Sequence, residues 1–343
     1  MQSPSTRGFS VVLGALLMAS IAGLANPRPV AAFTFPQAVK SWYMDTVSTS
    51  TLYDMGCTLG NTLEDGSAPQ FPLVILDFGQ PSYDTVKGYG AWAWNIGYVS
   101  TTQIRNAVVE YAHGFWNCTD NNFYAHVAIG VGTSNYQNWS KNAGFSTAMV
   151  EAHARAWGTM MNDINQVILN NSYNGQAHAV AAADIEVSWG GSTMARDWVD
   201  QYDGKTNWSM FDYGDAAGCR QSGTTQTAAL CGNTWYQDDL YYVAWGASVA
   251  YAVPEIYRED GAQAKQWQQI SKWATLNAKS KIYFEGTLTQ HAACAQQSDP
   301  NACHNSGIDN TAAEGWNQLI DRCATDSATA LTDIKYASDI KWH

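Results

Sequence analysis

The sequence is poor in charge. Asp, Glu, Lys and Arg make up 14% of its 343 residues, against about 25% in an average soluble protein. Cations are the scarcer sign, with 18 Lys and Arg against 30 Asp and Glu. That excludes a nucleic-acid binder, because phosphate contacts need clustered Lys and Arg. No G-x-G-x-x-G follows the first apolar run and no P-loop occurs, so no nucleotide cradle is present. H-E-x-x-H and C-x-x-C are missing, and Cys303-His304 has no matching partner cluster, so neither a metal nor a cofactor is expected. A serine hydrolase would need G-x-S-x-G, which is absent. No Pro/Gly/Ser linker, charge block or tandem repeat divides the chain.

What replaces charge is neutral polarity beside aromatic faces. The 15 Trp and 18 Tyr exclude a disordered chain. With abundant Asn, Gln, Ser and Thr, they suit a neutral ligand such as a sugar. The N-terminus reads as an export signal over residues 1–32. Arg7 supplies a positive start, Phe9 to Ala25 is an apolar and small-residue run, and Val30-Ala31-Ala32 offers small residues for cleavage. The run is short for a membrane anchor, and no other segment is long and apolar enough to span. The expected location is therefore secreted, with residues 33–343 as one domain and no membrane contact after cleavage. Export makes disulfides the default state of the seven cysteines. Cys219 with Cys231 and Cys294 with Cys303 bracket short Gly-, Asn- or Ser-containing loops, and Cys57 with Cys118 is a plausible third pair that leaves Cys323 odd. Cys57 with Cys323 is the alternative. Oligomeric state is not legible.

Short apolar runs alternate with helical patterns. Strands are predicted over Phe71–Gly79, Tyr124–Val131, His178–Glu186, Trp208–Tyr213, Tyr241–Trp245, Ala252–Tyr257 and Ile282–Gln290. Between them, Ile104, Val108, Tyr111 and Phe115 have helical spacing, and helices are predicted over Thr147–Leu169, Thr193–Tyr202, Ala262–Ala278 and Thr311–Cys323. This alternation implies parallel crossovers and an α/β fold, a (β/α)8-type, TIM-like barrel with seven clear strands and disulfide-stapled loops. The missing strand falls in Tyr89–Val99 or near Met44–Leu52. An open doubly wound sheet is the other arrangement.

Acids sit near the ends of these strands. Asp77 closes the first, Asp184 and Glu186 the third, and Asp212, Glu255 and Glu285 lie in later ones. In a parallel barrel the C-terminal strand ends form the mouth where active sites are built. Asp184-Ile185-Glu186 is the sharpest pattern: residues two apart on a strand share a face, so both carboxylates face one cavity and Ile185 faces the helices. Close acids in an aromatic-lined site cannot both ionise freely, which is the pairing that glycoside hydrolysis uses. Trp189, Tyr213, Trp245 and Tyr257 accompany the acids, and Trp92 and Trp94 lie where they could stack on sugar rings. Such acids also cap helices, bind structural cations or pair with Arg196. Trp157, Trp198, Trp267 and Trp273 lie at helical positions and read as packing.

Ala183–Glu186, Asp77 at the end of the first strand, Tyr242–Trp245 and Leu288–Gln290 resemble the family 25 lysozymes (muramidases). More closely, and over nearly all of residues 33–343, the chain resembles secreted bacterial proteins of unassigned activity that carry a glycoside-hydrolase-like barrel. Their blocks stand here as Leu76–Pro81, Ile129–Tyr136, Asp184–Trp189 and Val253–Tyr257. The lysozyme resemblance implies Glu186 as proton donor, Asp77 and Asp184 as supporting acids, and a Gln-bearing late strand that brings in Gln290. The chain departs from the lysozymes in its Leu-Asp-Phe-Gly start and in the insert 214–234, which puts peptidoglycan as substrate in question more than the barrel. Glu255 and Glu285 are reserves for the second catalytic carboxylate. The function expected is an exported glycoside hydrolase acting on a polysaccharide or cell-wall glycan. The alternative is a non-catalytic carbohydrate-binding or cell-surface protein on the same barrel.

Overall fold

The structure, a computed structural model, describes residues 34–136 and 145–343. The export signal expected over 1–32 lies outside the described residues. Eight parallel strands form the central sheet: β1 (Ala38–Tyr43), β2 (Leu73–Asp77), β3 (Val127–Ser134), β4 (Ala177–Asp184), β5 (Met210–Asp212), β6 (Ala250–Ala252), β7 (Gly286–Thr289) and β8 (Tyr336–Trp342). They neighbour one another in chain order, and β8 returns to pair with β1. Between β6 and β7 the ring closes just past β6, where Ile256 N–H donates to Leu288 O at 2.9 Å and Leu288 N–H to Pro254 O at 3.0 Å. The fold is the TIM-like barrel that the alternation implies. Its lumen is filled by alternate residues of the strands, Leu73 and Ile75, Val180 and Ala182, Phe211 and Tyr213, with Val253, Leu288 and Ile340.

Helices cover the barrel: α1 (Thr49–Leu63), α2 (Thr101–Asn117), α3 (Thr147–Asn170), α4 (Ser192–Asp203), α5 (Ala262–Leu276) and α6 (Ala312–Ala324). Their starts follow sequence chemistry. Ser100 with Gln103, and Thr311 with Glu314, form reciprocal capping boxes on α2 and α6. Trp157 and Trp267 are fully buried, and Trp198 and Trp273 nearly so, as packing residues. Three disulfides form, Cys57–Cys118, Cys219–Cys231 and Cys294–Cys303, and Cys323 is a buried free thiol. No described helix is long and apolar enough to cross a membrane.

Two sequence expectations need correction. Tyr241–Trp245 is not a strand: a short helix at Gln237–Tyr241 runs into a π turn at Tyr242–Gly246. A run of five apolar residues carries no period that separates the two. The missing strand is not in Tyr89–Val99, and it lies just before Met44–Leu52 rather than within it. Residues 80–100 form an antiparallel meander (Gln80–Asp84, Gly88–Ala93, Gly97–Ser100) beside the barrel, and α1 begins at Thr49. Two further barrel strands, β1 and β8, complete the eight.

Candidate active site

Alternation along the strands decides which acids enter the mouth. On β2, Leu73 and Ile75 face the lumen, so Asp77 does too; on β4, Val180 and Ala182 place Asp184 likewise. Glu255 follows β6 and shares the parity of lumen-facing Val253. Asp212 has the opposite parity to Phe211 and Tyr213. It points away from the lumen, is fully buried, and accepts from Gly214 N–H at 3.2 Å. Asp184, Glu186 and Glu255 come together, offering carboxylate oxygens all within 4.8 Å of one another. Among the described residues this is the one acidic group spaced to hold a cation.

Two adjoining cavities open there. One, of about 420 Å³, is lined by Tyr43, Trp94, Asp184, Glu186, Trp189, Glu255, Tyr257, Gln290 and Trp342, among others. The second, of about 240 Å³, adds Asp77, Gln80, Ser134 and Tyr136. They share Trp94, Asp184 and Trp189, so they form one continuous mouth.

The loop carrying Glu186 is held from two sides. Asn135, just past β3, clamps the Glu186 backbone: its Nδ2 donates to Glu186 O at 2.8 Å and its Oδ1 accepts from Glu186 N–H at 3.0 Å. Asn233, at the end of the disulfide-bearing insert, donates to Val187 O at 3.0 Å and Gly190 O at 3.2 Å. Ser188 Oγ donates to Glu186 Oε2 at 3.0 Å. Ile185, between the acids, lines an apolar recess with Val150, Met194 and Trp198, on the helix side. Asp77 is set by the turn after β2. Gly79 takes φ 84° and its N–H donates to Asp77 Oδ1 at 2.8 Å. A Cβ there would stand 2.4 Å from Trp92 O, so only glycine fits.

Burial without counter-charge governs the electrostatics. Desolvation, reinforced by Asp215, pushes Glu186 up to about 7, against the pull of the Ser188 hydroxyl. Asp77 is pushed up to about 6 by burial, tempered by the Gly79 N–H and by Tyr213 and Trp94 beside it. Asp184 and Glu255 are both raised well above the carboxylate range, first by burial and then by neighbouring acids. Tyr257 donates to Glu255 Oε1 at 2.5 Å and opposes part of that rise. Asp184 Oδ1 is buried with no hydrogen-bond partner. The mouth thus holds protonated and ionisable acids side by side, as proton transfer to a leaving oxygen requires.

The remaining sequence candidates divide. Trp94, Trp189, Tyr257 and Gln290 line the mouth, and Trp189 stands edge-on to Tyr136 with ring centroids 5.8 Å apart. Tyr213 lies beneath it, buried against Gly132, where a Cβ would stand 2.9 Å from its hydroxyl. Trp92 sits on the meander, half-exposed, and lines neither cavity. Glu285 is at the wrong end: it precedes β7, at the N-terminal side of the barrel, and pairs with Lys335 at 2.7 Å. Trp245 is there too, bonded through Nε1 to Ser280 Oγ at 2.9 Å and packed against Tyr251 and Tyr283. Sequence reasoning missed Tyr43, Asn135, Asp215 and Trp342. Tyr43 and Trp342 end strands that were not recognised, and Asp215 follows Asp212 by three residues in a loop.

No family model matches the chain, and no curated protein matches it. Among solved structures it is similar to a homocysteine methyltransferase from Escherichia coli, at 10% identity and TM-score 0.40 over 81% of this chain and 89% of that one. It is also similar to a sugar phosphate isomerase/epimerase from Parabacteroides distasonis, at 9% identity and TM-score 0.35 over 88% of this chain and 89% of that one.

Proposed function

We propose that the protein is an exported glycoside hydrolase acting on a polysaccharide or cell-wall glycan. The observation that carries this reading is the trio Asp184, Glu186 and Glu255, with oxygens within 4.8 Å of one another in an aromatic-lined mouth. Glu186 is the most open of the three and is held near pKa 7, so it serves as general acid to the leaving oxygen. Glu255 is the second carboxylate: Tyr257 hydrogen-bonds it, and positive charge developing at the anomeric centre favours its ionised form, as it does those of Asp184 and Asp77, over the protonated forms that burial alone favours. Oxygens of Glu186 and Glu255 within 4.8 Å of one another favour retention, for which carboxyl separations of about 5–5.5 Å are usual. The three disulfides fit an oxidising, extracellular setting.

The test is Glu186→Gln. Loss of a positioned general acid costs roughly 10²–10⁴-fold in kcat, while thermal stability should change little because the amide keeps the shape. Activity of the unsubstituted protein should fall as pH rises through about 7, where Glu186 loses its proton. Full activity in the variant, measured on a panel of polysaccharides that the parent cleaves, would remove the assignment. Glycan binding without turnover by the parent itself would favour the non-catalytic alternative.

A further inference from the structure

We propose that the sugar taken at this mouth is an amino sugar with a free, protonated amine, a unit of a cationic glycan. The proposal rests on the hydrolase reading only for where the scissile bond lies.

Glycoside hydrolysis needs two carboxylates. Here Asp77, Asp184, Glu186 and Glu255 all line the cavities, and no Lys, Arg or His does so among the described residues. Such a site offers uronates and other anionic sugars no counter-charge, and each acid costs free energy to ionise while alone. A ligand that brings positive charge removes that cost. The spacing suits an ammonium. Held at about 2.8 Å along tetrahedral N–H directions, an ammonium separates its acceptors by about 4.6 Å. Asp184 and Glu255 offer two such acceptors, with oxygens within 4.8 Å of each other, and leave Glu186 free for the glycosidic oxygen. Asp184 Oδ1 is an acceptor already stripped of water and left without a partner, in a residue only 5% exposed. A small metal ion is a poorer fit, because the cavity of about 420 Å³ is walled by Tyr43, Trp94, Trp189 and Trp342. Aromatic faces attract organic cations, whereas a hard divalent ion asks for six or more oxygens.

The chemistry gives the surplus acids a use. An amine on the carbon next to the anomeric centre puts a full positive charge beside a transition state that is itself cationic. Asp184 and Glu255 offset both charges, while Glu186 stays with the glycosidic oxygen alongside.

The test is calorimetric titration of the full-length Glu186→Gln variant with tetramers of glucosamine, N-acetylglucosamine and galacturonate. The glucosamine tetramer should bind at least ~10-fold more tightly than the acetylated one, the worth of one charge-assisted hydrogen bond, and galacturonate should not bind. Proton release should accompany binding, and adding Asp184→Asn should erase the preference. Equal affinities for the two hexosamine tetramers, or binding of galacturonate, would overturn the proposal. So would stoichiometric calcium binding that blocks the glucosamine tetramer. The two readings fail separately. Selective glucosamine binding with no turnover by the parent removes only the hydrolase, and cleavage of neutral glycans without amine preference removes only the amino sugar.

Discussion

Asp212 shows how one residue can be mistaken for its neighbours. It ends a strand, as Asp77 and Asp184 do, yet its parity turns it from the lumen into a dry space where Oδ2 has no partner. Burial pushes it up to about 7 from 3.8. The folded state therefore keeps a proton that the unfolded chain has released, and stability falls as pH rises from about 4 to about 7. Asp77 and Glu186 have the same sign of shift and add to the slope. At about 1.4 kcal/mol per unit, Asp212 alone accounts for up to about 4 kcal/mol between those limits. Asp212→Asn keeps the acceptor for Gly214 and removes the ionisation. The expected outcome is a smaller drop in Tm between pH 5 and pH 8 than in the parent, measured by thermal melts in matched ionic strength. An unchanged drop would mean that Asp212 ionises freely in the folded state.

Among the elements, α1 and α2 make the tightest pair. Gly56 and Gly60 of α1 and Gly114 of α2 bring the two backbones together. A Cβ at Gly114 would stand 2.0 Å from Tyr53 O, and one at Gly56 equally close to Tyr111 O. The Cys57–Cys118 bond crosses the same seam. Gly114→Ala adds a good helix former to an exposed-peptide scale, yet here it must push α1 aside. Overpacking of this kind costs about 1–3 kcal/mol, so a lower urea midpoint is expected, with an unchanged one counting against the close packing. Sequence legibility also divides by element. Val- and Ala-rich runs such as Ala177–Asp184 are buried on both faces and announce themselves. β1 (AVKSWY) and β8 (YASDIKW) carry Lys and Asp because those side chains pair across the strands, Lys40 to Asp339 at 2.7 Å. Their polarity hid them, and with them Tyr43 and Trp342. Glu285 was misplaced because the apolar run Ile282–Phe284 precedes the paired segment, so its acid falls at the wrong end of β7. The Asp184-Ile185-Glu186 pattern was legible because a period of two needs no knowledge of the rest of the chain. Glu255 was legible as a strand-end acid, but that it meets this pair rather than Glu285 follows from barrel closure, which no local pattern reports.

For the molecule as a whole, the ring of strands is sealed by residues far apart in sequence. β1 pairs with β8 along its whole length, and Ser41 and Ser338 share a 2.6 Å hydrogen bond. Removing residues 336–343 leaves β1 and β7 with open edges and uncovers the lumen residues Leu288 and Ile75. The truncated chain is expected to lose its cooperative thermal transition, followed by near-UV circular dichroism. A native-like melt would show that the remaining strands close without it. The disulfide insert has a subtler bearing on how the protein is handled. Cys219–Cys231 shapes the segment whose Asn233 and Trp235 reach back to the loop after Glu186, Trp235 Nε1 donating to Gly190 O at 2.6 Å. The barrel strands need no part of that bond. Protein made in a reducing cytosol can therefore pass every test of folding while its acid rides on a loop held by Asn135 alone, so recombinant preparations should be compared by thiol titration before any is judged inert.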